Sequence, residues 1–129
     1  MRTLPTQILH DLFAALDRKE AEQILALMSP DIVMVDEISR RWLRGKDSVA
    51  RQLNTVLAAA GMVHSQLSDL QSKALGSDAF LCTGWLDQSY TLNGDELTIS
   101  APLTACLTAS DDSWVVVSLH AIPLMDPPV

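Results

Sequence analysis

The stretch Ile24-Leu25-Ala26-Leu27-Met28-Ser29-Pro30-Asp31-Ile32-Val33-Met34-Val35-Asp36 holds a change of period that organises the chain. Ile24, Leu25 and Met28 recur at helical spacing and predict a short helix over Glu20–Met28. Ser29-Pro30 ends it, because the residue before a proline is pushed out of the α region. Asp31–Asp36 is rich in β-branched residues and apolar on both parities, which predicts a strand buried on both faces. Upstream, Leu4, Ile8, Leu9, Leu12, Phe13 and Leu16 mark an amphipathic helix with Pro5 in its first turn, broken by Asp17-Arg18-Lys19. Downstream, Ser39–Arg44 reads as a short partner strand. Gly45 then opens a third helix over Lys46–Ala60, whose face is Val49, Leu53, Val56, Leu57 and Ala60, with Gly61 placed for a left-handed cap.

The remainder alternates as strands do, near Val63–Ala74, Asp78–Thr91, Glu96–Thr108 and Trp114–Ile122. Asn93-Gly94 is a strong hairpin signal, since a type I′ turn needs positive φ at both central residues. Gly76-Ser77 and Ser110-Asp111-Asp112-Ser113 supply the other turns. Two helices, two strands, a helix and a four-strand antiparallel meander make the class α+β. A length of 129 residues suits one domain over 1–129, with a loose proline-rich tail at 124–129. Hydrophobic residues make up 48%, enough for a core, and nine basic against 16 acidic residues give a net charge of −7, which argues against tracking nucleic-acid phosphates. No apolar run approaches the roughly 20 residues that span a bilayer, and the N-terminus lacks a signal-peptide pattern. The expectation is a soluble, cytoplasmic protein.

Four stretches in this order, Leu12-Phe13-Ala14-Ala15-Leu16-Asp17, the run Ile24–Asp36, Leu43-Arg44-Gly45-Lys46 and Trp114–Leu124, resemble the nuclear transport factor 2-like superfamily. That group includes SnoaL-like polyketide cyclases, ketosteroid isomerase and limonene epoxide hydrolase. The resemblance spans about Gln7 to Pro123. It implies a cystatin-like α+β cone, three helices packed on a curved, mainly antiparallel mixed β-sheet, with a ligand-binding pocket between helices and sheet. It also implies a homodimer through the other side of the sheet. Asp36 falls at the general-base aspartate of ketosteroid isomerase. The tyrosine and second aspartate that hold the oxyanion there fall at Leu12 and near Leu103, so the carry-over stops at Asp36 and ketosteroid isomerisation is rejected. The arginine and two acids of the epoxide hydrolases find no counterparts.

A two-residue Asn93-Gly94 loop makes opposed residue numbers sum to 187, so Cys82, Gly84 and Leu86 share a face with Ala105, Leu103 and Ala101. By the resemblance that face lines the pocket. Leu81, Thr83, Trp85, Thr104 and Cys106 then lie on the other face, a large apolar patch suited to a two-fold contact. A three-residue turn at Ser110-Asp111-Asp112 puts His120 outside with Ser118, whereas an even loop points it into the pocket as an acid or base. Cys82 and Cys106 fall on opposite faces and stay free thiols, as a reducing compartment requires. Three scattered histidines show no ligand spacing, so no metal or other cofactor is expected. His10 reads as solvated and His64 as structural. Arg40, Arg41, Arg44 and Lys46 read either as a solvated turn or as an anion-docking rim, and Trp42 as a cover for the pocket mouth or for core. Asp36 reads either as a structural acceptor, bonded to amides or to Arg40 or Arg44, or as a pocket acid or base.

Together these readings predict a small-molecule-binding protein with an apolar pocket. Its lining would be Leu12, Leu16, Asp36, Trp42, Leu53, Val56, Cys82, Gly84, Leu86, Leu103 and Leu119, and any chemistry would be isomerisation, cyclisation or dehydration with Asp36 moving the proton. The alternative is a non-catalytic homodimerisation or partner-binding module whose cone is filled by its own side chains.

Overall fold

In a computed structural model that describes residues 3–36 and 40–123, these periods resolve into three helices and six strands. In chain order they are α1 (Pro5–Asp17), α2 (Ala21–Ala26), β1 (Met28–Asp36), β2 (Arg41–Arg44), α3 (Lys46–Ala59), β3 (Ala60–Ala74), β4 (Ala79–Leu92), β5 (Asp95–Ser110) and β6 (Ser113–Ala121). The strands form one sheet in the order β2-β1-β6-β5-β4-β3. Among the described residues only the β1–β6 pair is parallel. The tail at 124–129 and the start of the expected partner strand at Ser39 lie outside the described residues.

The β4–β5 hairpin carries the register. Asn93 and Gly94 have φ of 53° and 87°, as a type I′ turn demands. Pairing then runs without a shift from Leu92↔Asp95 to Ala79↔Thr108 and includes Gly84↔Leu103 and Cys82↔Ala105. The β5–β6 turn differs from the expected three-residue loop. Asp111 and Asp112 make a two-residue turn between Ser110 and Ser113, and a bulge then places Val117 opposite no partner. The even loop alone would send His120 toward the helices. The extra residue reverses the parity, so His120 pairs with Thr104 and lies on the outer face.

Other expectations change for local reasons. The second helix stops at Ala26, because Leu27 accepts a hydrogen bond from the Val116 N–H at 2.9 Å and β1 is already paired at Met28. Pro30 lies in the irregular stretch between Met28 and Val33, where no ladder donor is required. Of Asp31–Asp36 only Ile32 is buried, with Val33–Asp36 half-buried, so this strand is not covered on both faces. Gly61 is no left-handed cap: α3 ends at Ala60 in extended backbone. Lys19 Nζ instead donates to the carbonyls of Ala60 (2.7 Å) and Gly61 (3.2 Å), a cation at a helix C-terminus.

The core lies between α1, α2, α3 and the inner face of the sheet. Leu9, Ile24, Ile32, Cys82, Leu103, Leu107 and Val116 are fully buried in it. In β3 the ladder shifts between Ser68 and Gln71, at Asp69 with φ 52°. This bulge brings Leu70 over Gly84, where a Cβ would stand 2.5 Å from Leu70 Cδ2 and 3.1 Å from the Ser68 carbonyl oxygen. Gly84→Ala is therefore expected to cost about 1–3 kcal/mol by overpacking. In urea melts the cost should shrink in a Leu70→Ala background; an undiminished cost would mean that Leu70 does not set the constraint.

Cys82 and Cys106 are free, and their strand parities put them on opposite faces. Burial, and secondarily the nearby Cys106, push the Cys82 thiol above its ordinary value. The group therefore withdraws stability as pH rises from the unfolded thiol value toward the folded one. Native alkylation should label Cys106 well before Cys82, and denaturing alkylation should give two labels per chain by intact mass. Equal native rates would contradict this burial.

Candidate functional site

The inner face of the sheet and the helices do not meet everywhere. Along β4 the Cys82–Gly84 half is filled by Leu70 and the core, whereas Leu86, Gln88 and Tyr90 border a cavity of about 210 Å³. Its walls include Leu12 and Leu16 of α1, Met34 and Asp36 of β1, and Gln52, Leu53 and Val56 of α3. Val63 of β3 and Leu119 of β6 also line it.

The structure thus gathers Leu12, Leu16, Asp36, Leu53, Val56, Leu86 and Leu119 around one space. Four residues expected with them are elsewhere. Cys82 and Leu103 are buried in packed core under the helices. Gly84 lies under Leu70. Trp42 pairs with Val35 on β2, is 56% exposed, and meets His120 edge-on with ring centroids 5.6 Å apart. It sits on the outer face because its β2 parity is that of Arg44, whose guanidinium lies 5.3 Å from the Trp42 ring centre.

Among the described residues Asp36 is the one acidic or basic side chain in the lining. Gln52 on α3 donates from Nε2 to Asp36 Oδ2 at 3.0 Å, tying helix to strand across the cavity wall. The Asp36 carbonyl also accepts the Arg40 N–H at 2.8 Å, next to the start of β2. Arg40, Arg41 and Arg44 are exposed. A second polar group lies on β4. Gln88 Nε2 donates to Ser65 Oγ at 2.9 Å, and Ser65 donates from Oγ and from its backbone N–H to the two oxygens of Asp17, at 2.7 and 3.0 Å. Tyr90 completes the polar lining. An otherwise apolar space with a few placed polar groups is the usual form of a small-molecule site.

Gln88 and Tyr90 continue the period-2 series Cys82, Gly84, Leu86 and were legible from the 187 register. Gln52 follows Val49 by three residues on the apolar side of α3, a signal masked by its polarity. Among the described residues no group of three or more His, Cys, Asp or Glu could hold a metal ion.

On the outer face Leu81, Thr83 and Trp85 lie across from Cys106, Thr104 and Pro102, with Ser118 and His120 alongside on β6. Ser118 Oγ and His120 Nε2 are 2.9 Å apart, and Trp85 Nε1 donates to Ser100 Oγ at 2.8 Å. Among the described residues no helix is long and apolar enough to cross a membrane.

Solved structures with the same arrangement are numerous. A candidate dehydratase of the NTF2-like family from Streptomyces avermitilis superposes with a TM-score of 0.83 over 94% of each chain, at 18% identity. An NTF2-like protein of unknown function from Pseudomonas putida KT2440 gives 0.80 over 94% of this chain and 84% of its own, at 20% identity. The CaMKII hub homology domain of Chlamydamonas reinhardtii gives 0.75 over 93% and 95%, at 15% identity. At such identities these likenesses show the fold alone. No curated protein matches the chain. The model of the SnoaL-like domain matches residues 6–125, nearly the whole length, and the chain belongs to the SnoaL-like domain family.

Proposed function

We propose that the chain binds a compact, mostly apolar small molecule in the cavity bordered by Asp36 and Gln52, and that Asp36 moves a proton on it. The observation that carries this reading is the cavity itself: about 210 Å³ of space with an apolar lining and one carboxylate held by an amide. A cone filled by its own side chains would leave no such space, which weighs against the association-module alternative. A carboxylate fixed at an apolar wall is suited to taking a proton from an acidic carbon or a hydroxyl and returning it elsewhere on the same molecule. Isomerisation, cyclisation and dehydration share that step, and the likeness to a candidate dehydratase is in keeping with it. Leu12, Leu16, Leu53, Val56, Leu86 and Leu119 would supply the apolar grip.

The proposal extends to assembly and compartment. The outer face joins Leu81, Trp85 and Cys106 to the exposed Trp42, a surface suited to a second copy packed about a two-fold axis. Thr83, Thr104, Ser118 and His120 would frame that contact. Two free thiols suit a reducing compartment such as the cytoplasm.

Asp36→Asn keeps the side-chain shape and an oxygen that can accept from Gln52. Its urea stability should stay within about 1 kcal/mol of wild type. In a thermal-shift panel of neutral bicyclic alcohols and ketones, a wild-type hit present at 100 times its dissociation constant adds about 2.7 kcal/mol. Conversion of a hit by wild type should vanish in Asp36→Asn. Loss of several kcal/mol with conversion intact would make Asp36 a scaffold residue. Trp85→Asp puts a charge into the proposed dimer contact and should give monomer by light scattering; a wild-type monomer at micromolar concentration overturns the dimer.

A further inference from the structure

The chain Asp17–Ser65–Gln88 has a direction, and it ends at the cavity. An ionised carboxylate only accepts hydrogen bonds. Asp17 Oδ1 therefore takes the single hydroxyl proton of Ser65, at 2.7 Å, while Oδ2 takes the Ser65 backbone N–H at 3.0 Å. With its proton committed, Ser65 Oγ can only accept from Gln88, so the amide must turn Nε2 toward Ser65, at 2.9 Å. The opposite end of that amide is Oε1, which has no partner among the described residues, on a side chain that borders the cavity. Ser65 and Gln88 are cross-strand partners of β3 and β4, and Asp17 closes α1, so the ladder and the helix end hold the chain in place.

We infer that Asp17, which does not border the cavity, is a specificity-determining residue: through Ser65 it fixes Gln88 as a hydrogen-bond acceptor and selects neutral ligands that bear a hydroxyl or N–H donor over matched ligands that only accept. This rests on the small-molecule reading of the cavity proposed above. The inference concerns the Gln88 wall alone. Asp36, an acceptor on β1, favours the same ligand class, so the cavity presents acceptors from two strands. A ligand with two separated donors, such as a diol on a compact ring system, meets both.

Asp17→Asn tests the direction of the chain. The backbone N–H of Ser65 cannot become an acceptor, so the asparagine must offer it the carbonyl oxygen and turn its NH2 toward Ser65 Oγ. The serine hydroxyl, which can rotate, then accepts from position 17 and donates to Gln88. The Gln88 amide flips and presents its NH2 group to the cavity. Two probes on one bicyclic skeleton read this out by titration calorimetry: 5,6,7,8-tetrahydro-1-naphthol, which donates, and 1-tetralone, which only accepts. The wild type should prefer the phenol by about tenfold or more, and Asp17→Asn should move the ratio of dissociation constants about tenfold toward the ketone. Ser65→Ala and Gln88→Leu should move the ratio toward unity while both probes still bind. Circular dichroism and urea melts establish that each variant is folded. If Asp17→Asn does not fold, Ser65→Ala and Gln88→Leu still decide. Both probes binding the wild type equally, or folded variants keeping its ratio within twofold, would overturn the inference and leave the cavity reading standing. Failure of both probes to bind the wild type would count against the cavity reading and remove the inference with it.

Discussion

The positive φ angles of Asn93 and Gly94 impose a two-residue turn on β4 and β5, and the parity that follows governs the rest of the sheet. A strand alternates its side chains with a period of two, so a slip of one residue would carry Leu86, Gln88 and Tyr90 to the outer face. Asp87 and Ser89 would then lie under the helices. The 14 pairs of this hairpin run without interruption, and neighbouring strands inherit its parity. That is why β3 and β6, which pair with β4 and β5, must correct any mismatch by bulges, two in β3 and one in β6.

Two of these bulges do opposite things to the space beneath the helices. At Asp69–Leu70 the extra length swings a leucine over the glycine of β4 and fills one half of the inner face. At Val117 the extra residue turns His120 outward and leaves Leu119 and Ala121 facing in, where they border the cavity. Filling one half is compatible with an open other half because α1 packs against both, with Leu12 common to the core and to the cavity wall. The core thus holds the helices at a distance that the cavity-lining residues do not themselves bridge.

Patterns that depend on near neighbours were legible in the sequence. Helical spacing located α1 and α3, and the Asn-Gly pair located the hairpin and its register. Features that depend on distant partners were not. Gly84 has the right parity for the cavity, yet Leu70 covers it, and nothing in either local sequence announces the bulge. The outward turn of His120 requires the Val117 bulge, which an odd loop would have mimicked and an even loop would have hidden. Trp42 was open to two readings because an isolated four-residue strand carries too few residues to fix its own parity. Gln52 and Gln88 are hidden in the sequence because their polarity interrupts the apolar pattern that marks the rest of the lining.

The polar members of the wall are tied in two different ways, and the difference has chemical weight. Gln52 reaches Asp36 directly, side chain to side chain, and ties α3 to β1 at the cavity wall. The amide of Gln88 is held through Ser65 by a carboxylate that also takes a backbone N–H, a group with no rotational freedom. Its orientation is therefore set before any ligand arrives, which lowers the cost of forming a hydrogen bond to it. The Gln88 amide is held by the scaffold, which suits the aligning role proposed for it. On the proposed reading, the Gln88 wall holds a molecule at one end while Asp36 exchanges a proton with it at the other.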